Sequence, residues 1–266
     1  MTSGLTAVSS CKEKKITILN IEGINSFDKA ISFSSEISEV NIAEGSQAFL
    51  LCTTLNQEKF TVTIGAQANV VVCLLHHAGA RNITIFVGEN SHLKWIEFAV
   101  HNSITVKHQV SLGAEAQLEV WQGFKGKDNH EIDLQSTIHH QGSGSTSRYI
   151  SKGILDGESK SKSYAAIAVH PGAKGCQGLQ RTDIILLSEK SQCDALPVLE
   201  VQDNEVACSH STTISSLSPE QLLYLQSRGI PFSQAKQMIT EGFLSLVIGA
   251  IPIAVVQEEV RQKIIS

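Results

Sequence analysis

From Ile16 to about Ser211 the apolar positions fall in short β-branched runs broken by Gly, Asn, Asp and Ser. Examples are Ile16-Thr17-Ile18-Leu19, Phe60-Thr61-Val62-Thr63-Ile64, Asn82-Ile83-Thr84-Ile85-Phe86-Val87 and Val198-Leu199-Glu200-Val201. This is strand texture. No part of the stretch carries a sustained helical period with caps, so the strand–helix alternation of a doubly wound sheet is not expected.

An internal repeat narrows the architecture. Ile42-Ala43-Glu44-Gly45-Ser46-Gln47-Ala48 is followed by Ile64-Gly65-Ala66-Gln67-Ala68-Asn69-Val70. Val87-Gly88-Glu89-Asn90-Ser91-His92-Leu93 and Leu112-Gly113-Ala114-Glu115-Ala116-Gln117-Leu118 continue the series, the starts lying 22, 23 and 25 residues apart. Each unit is an aliphatic residue, a small polar turn, a small residue four positions on and an apolar residue two further. Leu187-Ser188-Glu189-Lys190-Ser191-Gln192-Cys193 reads as a later copy. A turn recurring at this interval predicts stacked coils with like residues in buried columns. A β-sandwich would instead place turns about every 8–12 residues without this register.

After Leu217 the period changes. Ser218-Pro219-Glu220-Gln221 predicts a helix start, with Ser as N-cap, Pro at the first position and Gln at the capping-box position. Gly229 supplies the stop. Pro231 opens a second helix, whose stripe Phe232, Ala235, Ile239, Phe243 and Leu246 is broadened by Met238, Gly242 and Val247. Beyond Pro252, Ile253, Val256, Val260 and Ile264 form a third stripe opposite Glu258, Glu259, Arg261 and Lys263. These helices are expected to pack on each other and on the end of the solenoid. The fold expected is mainly β: a flexible tail over 1–15, a right-handed parallel β-helix (β-solenoid) over 16–216 and a small C-terminal helical module over 217–266.

Composition fits. The 266 residues are 42% hydrophobic, 18% charged and only 5% aromatic, as a narrow interior of Val, Ile, Leu and Ala requires. A chain this long buries roughly three quarters of its unfolded surface and needs no disulfide or metal to fold. With 26 acidic against 21 basic side chains and a formal charge of −5, it lacks the basic excess that nucleic acid would demand. The first fifteen residues show no apolar signal core. The longest apolar run, Phe243 to Val256, falls short of the roughly 20 residues a membrane span needs and is interrupted by Pro252. Cys11, Cys52, Cys73, Cys176, Cys193 and Cys208 are far apart with no CxxC, which reads as reduced thiols in a cytoplasmic protein.

Among the chemistry-bearing residues, Cys208 and His210 stand out. Residues i and i+2 of a strand share a face, so thiol and imidazole could converge on one iron or sulfur species; the bland alternative is a small buried hydrophobe beside a hydrogen-bonded strand-end histidine. His76-His77 and His139-His140 read as surface histidines, because neighbours on a strand point oppositely. Cys52, Cys73 and Cys176 read as packing residues, and Cys11 as part of the tail. Gly123-Phe124-Lys125-Gly126-Lys127 lacks P-loop spacing, so this chain is not expected to bind nucleotide. Asp128, Glu131 and Asp133 are the carboxylates a polysaccharide-cleaving β-helix enzyme would need, but neither a secretion signal nor plentiful aromatics accompanies them.

Three ordered blocks carry a resemblance. They are Thr146-Ser147-Arg148 with Lys152-Gly153, then Cys208-Ser209-His210, then Glu220-Gln221-Leu222-Leu223-Tyr224-Leu225 running to Ser227-Arg228-Gly229-Ile230. Over about residues 138–250 the chain resembles the SufB/SufD family of the SUF iron–sulfur cluster assembly machinery, and over 16–137 it does so by texture. The resemblance implies a parallel β-helix with flanking helices and a scaffold, not an enzyme. It implies pairing of a SufB-like with a SufD-like chain through their β-helices, and a SufC-type ABC ATPase docked on the C-terminal helices. It further implies a transient iron–sulfur cluster formed near the inter-subunit contact, with His210, and Cys208 beside it, as the interface and metal candidates. Where SufB-like chains carry Glu after the motif histidine, this chain has Ser211. Where they carry a Cys six residues before the proline of the penultimate strand, matched here by Pro197, it has Ser191, with Cys193 two positions out of register. Both departures favour SufD. The usual N-terminal helical extension is not expected in this chain, which leaves a self-associating homodimeric scaffold as the alternative. Tyr224, Arg228 and Gln234 are the candidates for ATPase docking.

Overall fold

The computed structural model describes residues 5–6, 18–23, 30–33, 35–53, 55–76, 78–99 and 102–265. In chain order the first strands are β1 (Leu5–Thr6), β2 (Ile18–Ile21), β3 (Ile31–Ser32), β4 (Glu39–Ile42), β5 (Gln47–Cys52) and β6 (Lys59–Ile64). Then come β7 (Asn69–His76), β8 (Gly79–Val87), β9 (His92–Ala99), β10 (Ile104–Leu112), β11 (Gln117–Gly126) and β12 (Glu131–His140). The last are β13 (Thr146–Leu155), β14 (Lys160–Val169), β15 (Gln177–Leu186), β16 (Gln192–Val201) and β17 (Ala207–Ser216). The helices are α1 (Pro219–Ser227), α2 (Phe232–Ile248) and α3 (Ala254–Ile265). Even-numbered strands, with β1 at one edge, build a 9-stranded sheet, and the odd-numbered strands from β3 on build an 8-stranded sheet. Every pairing is parallel except that of β1 with β2. The chain is a parallel β-solenoid, and Leu5–Thr6, within the expected tail, pairs as a short antiparallel strand.

The repeat found in the sequence is the turn from the first sheet to the second. Ile42, Ile64, Val87 and Leu112 stack in register. Three positions on, Gly45, Gln67, Asn90 and Glu115 take φ of 67°, 58°, 55° and 54°. That left-handed turn is uncommon for non-glycine residues, and here each amide reaches the neighbouring coil. Gln67 donates to the Glu89 carbonyl and Asn90 to that of Ala114, both at 2.9 Å. The small residue that follows, Ser46, Ala68, Ser91 or Ala116, is buried.

The assignment of Leu187–Cys193 to this series is corrected. That segment joins β15 to β16 at the opposite edge, where Leu187 N–H donates to the Leu155 carbonyl at 2.7 Å and Gln192 N–H to that of Ser159 at 3.0 Å. The next member of the series is the turn after His140, which stacks on Leu112; Gly144 takes the left-handed position at φ 68° and Ser145 the buried small one. A histidine in place of the aliphatic and one extra residue hid it.

The helices begin as the caps predict. Ser218 accepts from the Gln221 amide with Pro219 in the first turn, and Gly229 ends the run at φ 81°. Their docking differs from expectation. Leu244, Val247 and Ile248 of α2, with Ile251 and with Val256, Val260 and Ile264 of α3, cover the outer face of the second sheet at Phe49, Cys73, Ile96, Phe98 and Ile154. They pack on a sheet face, not on the solenoid end. The expected α2 stripe shifts in part: Ala235 and Val247 are buried as expected, but Phe232, Met238 and Leu246 are exposed, and Thr240, Leu244 and Ile248 are buried in their stead. Strands covered on both faces show continuous burial, as in β7, and the first sheet keeps clean alternation, as in β12.

Inside the solenoid lies a polar network that the sequence did not announce. Glu97 is fully buried. Its Oε2 accepts from Trp95 Nε1 at 3.2 Å and pairs with His76 Nε2 at 3.1 Å. His108 Nε2 lies 3.1 Å from the same oxygen, and Gln122 Nε2 donates to Oε1 at 2.6 Å. Gln122 Oε1 in turn accepts from Tyr149 and Ser151 at 2.7 and 2.9 Å. Burial acts to raise the Glu97 pKa, but His108 and His76 outweigh it and hold the carboxyl well below the usual range. The surface reading is thereby corrected for His76, and also for His140, which is wholly buried against Ser145 and Ser147; His77 lies outside the described residues.

Because the folded-state pKa of Glu97 is depressed, its contribution is complete above the unfolded glutamate value of about 4.3 and fades as pH falls below it. Glu97→Gln is expected to lose about 3–5 kcal/mol in urea unfolding near neutral pH, since it removes the ionised acceptor on which the buried network converges. The variant should also lose part of the wild-type's fall in stability on acidification. Equal acid dependence in the two proteins would contradict this assignment.

Candidate functional site at the open end of the solenoid

Each inward column of the second sheet ends on β17. Leu93, Leu118, Ser147, Gly178 and Cys208 form one column. Trp95, Val120, Tyr149, Gln180 and His210 form the next. The third runs Glu97, Gln122, Ser151, Thr182 and Thr212. The interior thus turns from aliphatic to polar along the axis, and its last layer sets Cys208, His210 and Thr212 side by side on one strand face. Among the described residues no coil covers that layer, so His210 is exposed and Cys208 half-buried.

Cys208 sits over Gly178, where an added Cβ would stand 3.2 Å from its Sγ, and it packs on Ile167, Val169, Ala173 and Cys176. Burial raises its pKa, a nearby backbone amide opposes this, and the Cys176 neighbour adds to the rise. It is therefore held as a thiol until a metal or base displaces the proton. Gln180 is buried beside His210, yet its Oε1 has no hydrogen-bond partner among the described residues, and neither does Thr212 Oγ1. Such groups are costly to leave unmet, and both lie on the last two strands of the second sheet. Among the described residues no three His, Cys, Asp or Glu side chains gather into a metal-ligand set. Cys208 and His210 can offer one sulfur and one nitrogen, both suited to iron, and further ligands would have to come from elsewhere.

The mouth is also an edge. β16 and β17 each end a sheet, with Leu196, Val201 and Ile214 exposed along them. Pro197 lies in β16, on an edge strand where a missing N–H is tolerated. Ser191 is buried in the turn before β16, and Cys193 and Ala195 are partly buried against the main core.

The Thr146–Gly153 block is structural in its contacts. The Arg148 guanidinium lies 5.2 Å from the Trp121 ring centroid. Lys152 Nζ sits 4.2 Å from the Phe243 centroid and 3.3 Å from Asp183 Oδ2, tying β13 to α2. Gly153 leaves room for the Phe124 ring, which any Cβ there would strike. On the helices, Tyr224 and Arg228 are exposed, the guanidinium 5.2 Å from the ring centroid, and Gln234 is exposed on α2. Tyr224 and Leu225 of α1 with Ile239 and Phe243 of α2 line an apolar cleft of about 550 Å³. No helix among the described residues is long and apolar enough to cross a membrane. Cys52, Cys73 and Cys176 are buried packing residues, and Cys11 lies outside the described residues.

The family model described as SUF system FeS cluster assembly, SufBD core domain, matches residues 13–243. An iron–sulfur cluster assembly SufBD family protein of Staphylococcus haemolyticus is 29% identical over 238 residues, covering 85% of this chain and 50% of that protein. One of Mycobacterium leprae is 23% identical over 244 residues, covering 88% of this chain and 28% of that protein. The chain spans half or less of the length of these relatives.

The thiols should report this arrangement. With limiting iodoacetamide, Cys208 and Cys193 are expected to alkylate before Cys52, Cys73 and Cys176, as read by peptide mass spectrometry. Cys73, whose pKa burial pushes up to about 12 with Glu259 adding to the rise, should react only on unfolding. Early labelling of Cys73 in folded protein would show that α3 does not cover it.

Proposed function

Because the chain belongs to the SufBD core family of SUF-system iron–sulfur cluster assembly proteins, we propose that it acts as a SufD-like scaffold subunit, pairing with a SufB-like chain through the open end of its solenoid. The observation that carries this is the uncovered last coil. Among the described residues two strand edges there lack partners, Gln180 Oε1 and Thr212 Oγ1 are unmet, and Cys208 and His210 share one strand face. A second solenoid set against this end would extend both sheets and bring its own ligands to the two supplied here. The cluster is cargo assembled at that junction in a cytoplasmic setting, not a resident group. Ser211 and Ser191, in place of the Glu and Cys of SufB-like chains, support the SufD assignment.

The SufC-type ATPase docks on the helical module, around Tyr224, Arg228 and Gln234. The apolar cleft lined by α1, α2 and Ile185 of β15 supports this, since it offers a partner an apolar recess beside Tyr224. A self-associating scaffold remains the second reading. Two copies meeting edge to edge about a two-fold axis would pair the same strands, so the mouth would be occupied in either case.

Co-expression with the SufB-like and SufC-type proteins of the same organism, followed by capture and size-exclusion chromatography, is expected to yield a complex of all three. Arg228→Glu should release the ATPase and keep the SufB-like chain. His210→Ala should keep both partners and lower the cluster absorbance of the anaerobically reconstituted complex. Recovery of a homodimer with the ATPase but without the SufB-like chain would move the assignment to the second reading. Well-folded protein that captures neither partner would overturn both.

A further inference from the structure

Away from the mouth, on the outer face of the first sheet, two histidines from successive coils meet. His139 closes β12 and His170 follows β14. His139 Nδ1 lies 3.1 Å from His170 Nε2, with ring centroids 5.3 Å apart and planes at 46°. On its far side His139 Nε2 is 3.0 Å from Gln109 Oε1. An amide oxygen can only accept, so that contact places the proton of a neutral ring on Nε2 and leaves the Nδ1 lone pair facing His170. This is the tautomer-fixing contact found behind metal-ligating imidazoles, in which the second ring nitrogen donates to a carbonyl.

The backbone holds the pair in place. β12 is flanked by β10 and β14. His170 N–H donates to the His140 carbonyl at 3.0 Å, and its own carbonyl accepts from the Ala173 amide at 3.1 Å. Both side chains are half-buried, open to an ion from solvent. Burial and the neighbouring His170 lower the His139 pKa, outweighing Glu200, and so favour the neutral, ligating ring. With metal–nitrogen bonds of about 2.05 Å, a 3.1 Å nitrogen separation corresponds to an angle at the metal of about 98°. That value falls between octahedral and tetrahedral geometry.

We propose that His139 and His170 form a two-imidazole chelate for a divalent first-row transition cation, with water completing its coordination. The ion takes the place of the proton that His170 Nε2 now donates to His139 Nδ1; that proton moves to His170 Nδ1, so each ligating ring stays neutral with one N–H, on Nε2 in His139 and on Nδ1 in His170. Imidazole nitrogen selects the zinc, nickel and copper class over magnesium and calcium. The site is separate from the mouth, uses neither Cys208 nor His210, and stands whether or not the scaffold reading holds.

Isothermal titration of the full chain with NiCl₂ tests it, with imidazole resonances followed by NMR in parallel. Binding of about one equivalent is expected to depend on both rings, with His139→Ala and His170→Ala each weakening it about tenfold or more and Gln109→Ala less. A Cys208→Ser, His210→Ala double variant should bind as the wild type does, and Mg²⁺ should not compete. Nickel affinity unchanged by both single histidine variants would overturn the proposal. So would the absence of any nickel-induced change at the two rings in the wild type, a readout that needs no variant to fold.

Discussion

In a parallel ladder the backbone of each coil is satisfied only by the coils on either side of it, and most features of this protein follow from that dependence. Turns must superpose, so one position of each turn is driven into the left-handed region and its amide is spent on the neighbouring coil, as Gln67 and Asn90 show. The residue after it must be small, because it lies in a buried column. A stack built this way has no internal reason to stop. It ends with two rows of strand groups looking for a partner, and natural proteins rarely leave such edges long and uncovered. Here both are ten residues long.

Burial and function are distributed around that end. One sheet is covered by α2 and α3, which seal its outer face and leave the last coil free. The interior is aliphatic in the early coils and turns polar toward the mouth. Glu97 marks the change. It is a charge wholly enclosed and tolerated only because Trp95, Gln122, His76 and His108 surround it. Beyond it, Gln122, Tyr149 and Ser151 satisfy one another, while Gln180 and Thr212 do not.

Much of this was legible in the sequence, for physical reasons that also mark the limits. The 22-, 23- and 25-residue spacing of Ile42, Ile64, Val87 and Leu112 encodes coil length directly, and the Ser218–Gln221 cap encodes a helix start through local geometry alone. Leu187–Cys193 misled because both edges of a solenoid use small polar turns, and periodicity does not say on which edge a turn lies. The α2 stripe misled in part because apolar spacing gives a helix its face only to within a residue or so, and the sheet beneath chose Leu244 and Ile248 over Phe232 and Leu246. His76 and His140 are buried because partners some twenty residues away in Glu97, and nearby in Ser145 and Ser147, make burial tolerable; no rule about neighbouring residues contains that information. Cys208 and His210 were found from i, i+2 spacing and the block around them, but that they end columns on Gly178 and Gln180 needed the register.

The central claim is that the last coil is completed by another subunit. Amide hydrogen exchange of this chain, alone and then with a SufB-like partner, addresses it at the backbone groups themselves. Slowed exchange confined to residues 192–201 and 207–216 on complex formation is the predicted result. A stable complex in which those amides exchange as fast as in the free chain would contradict it.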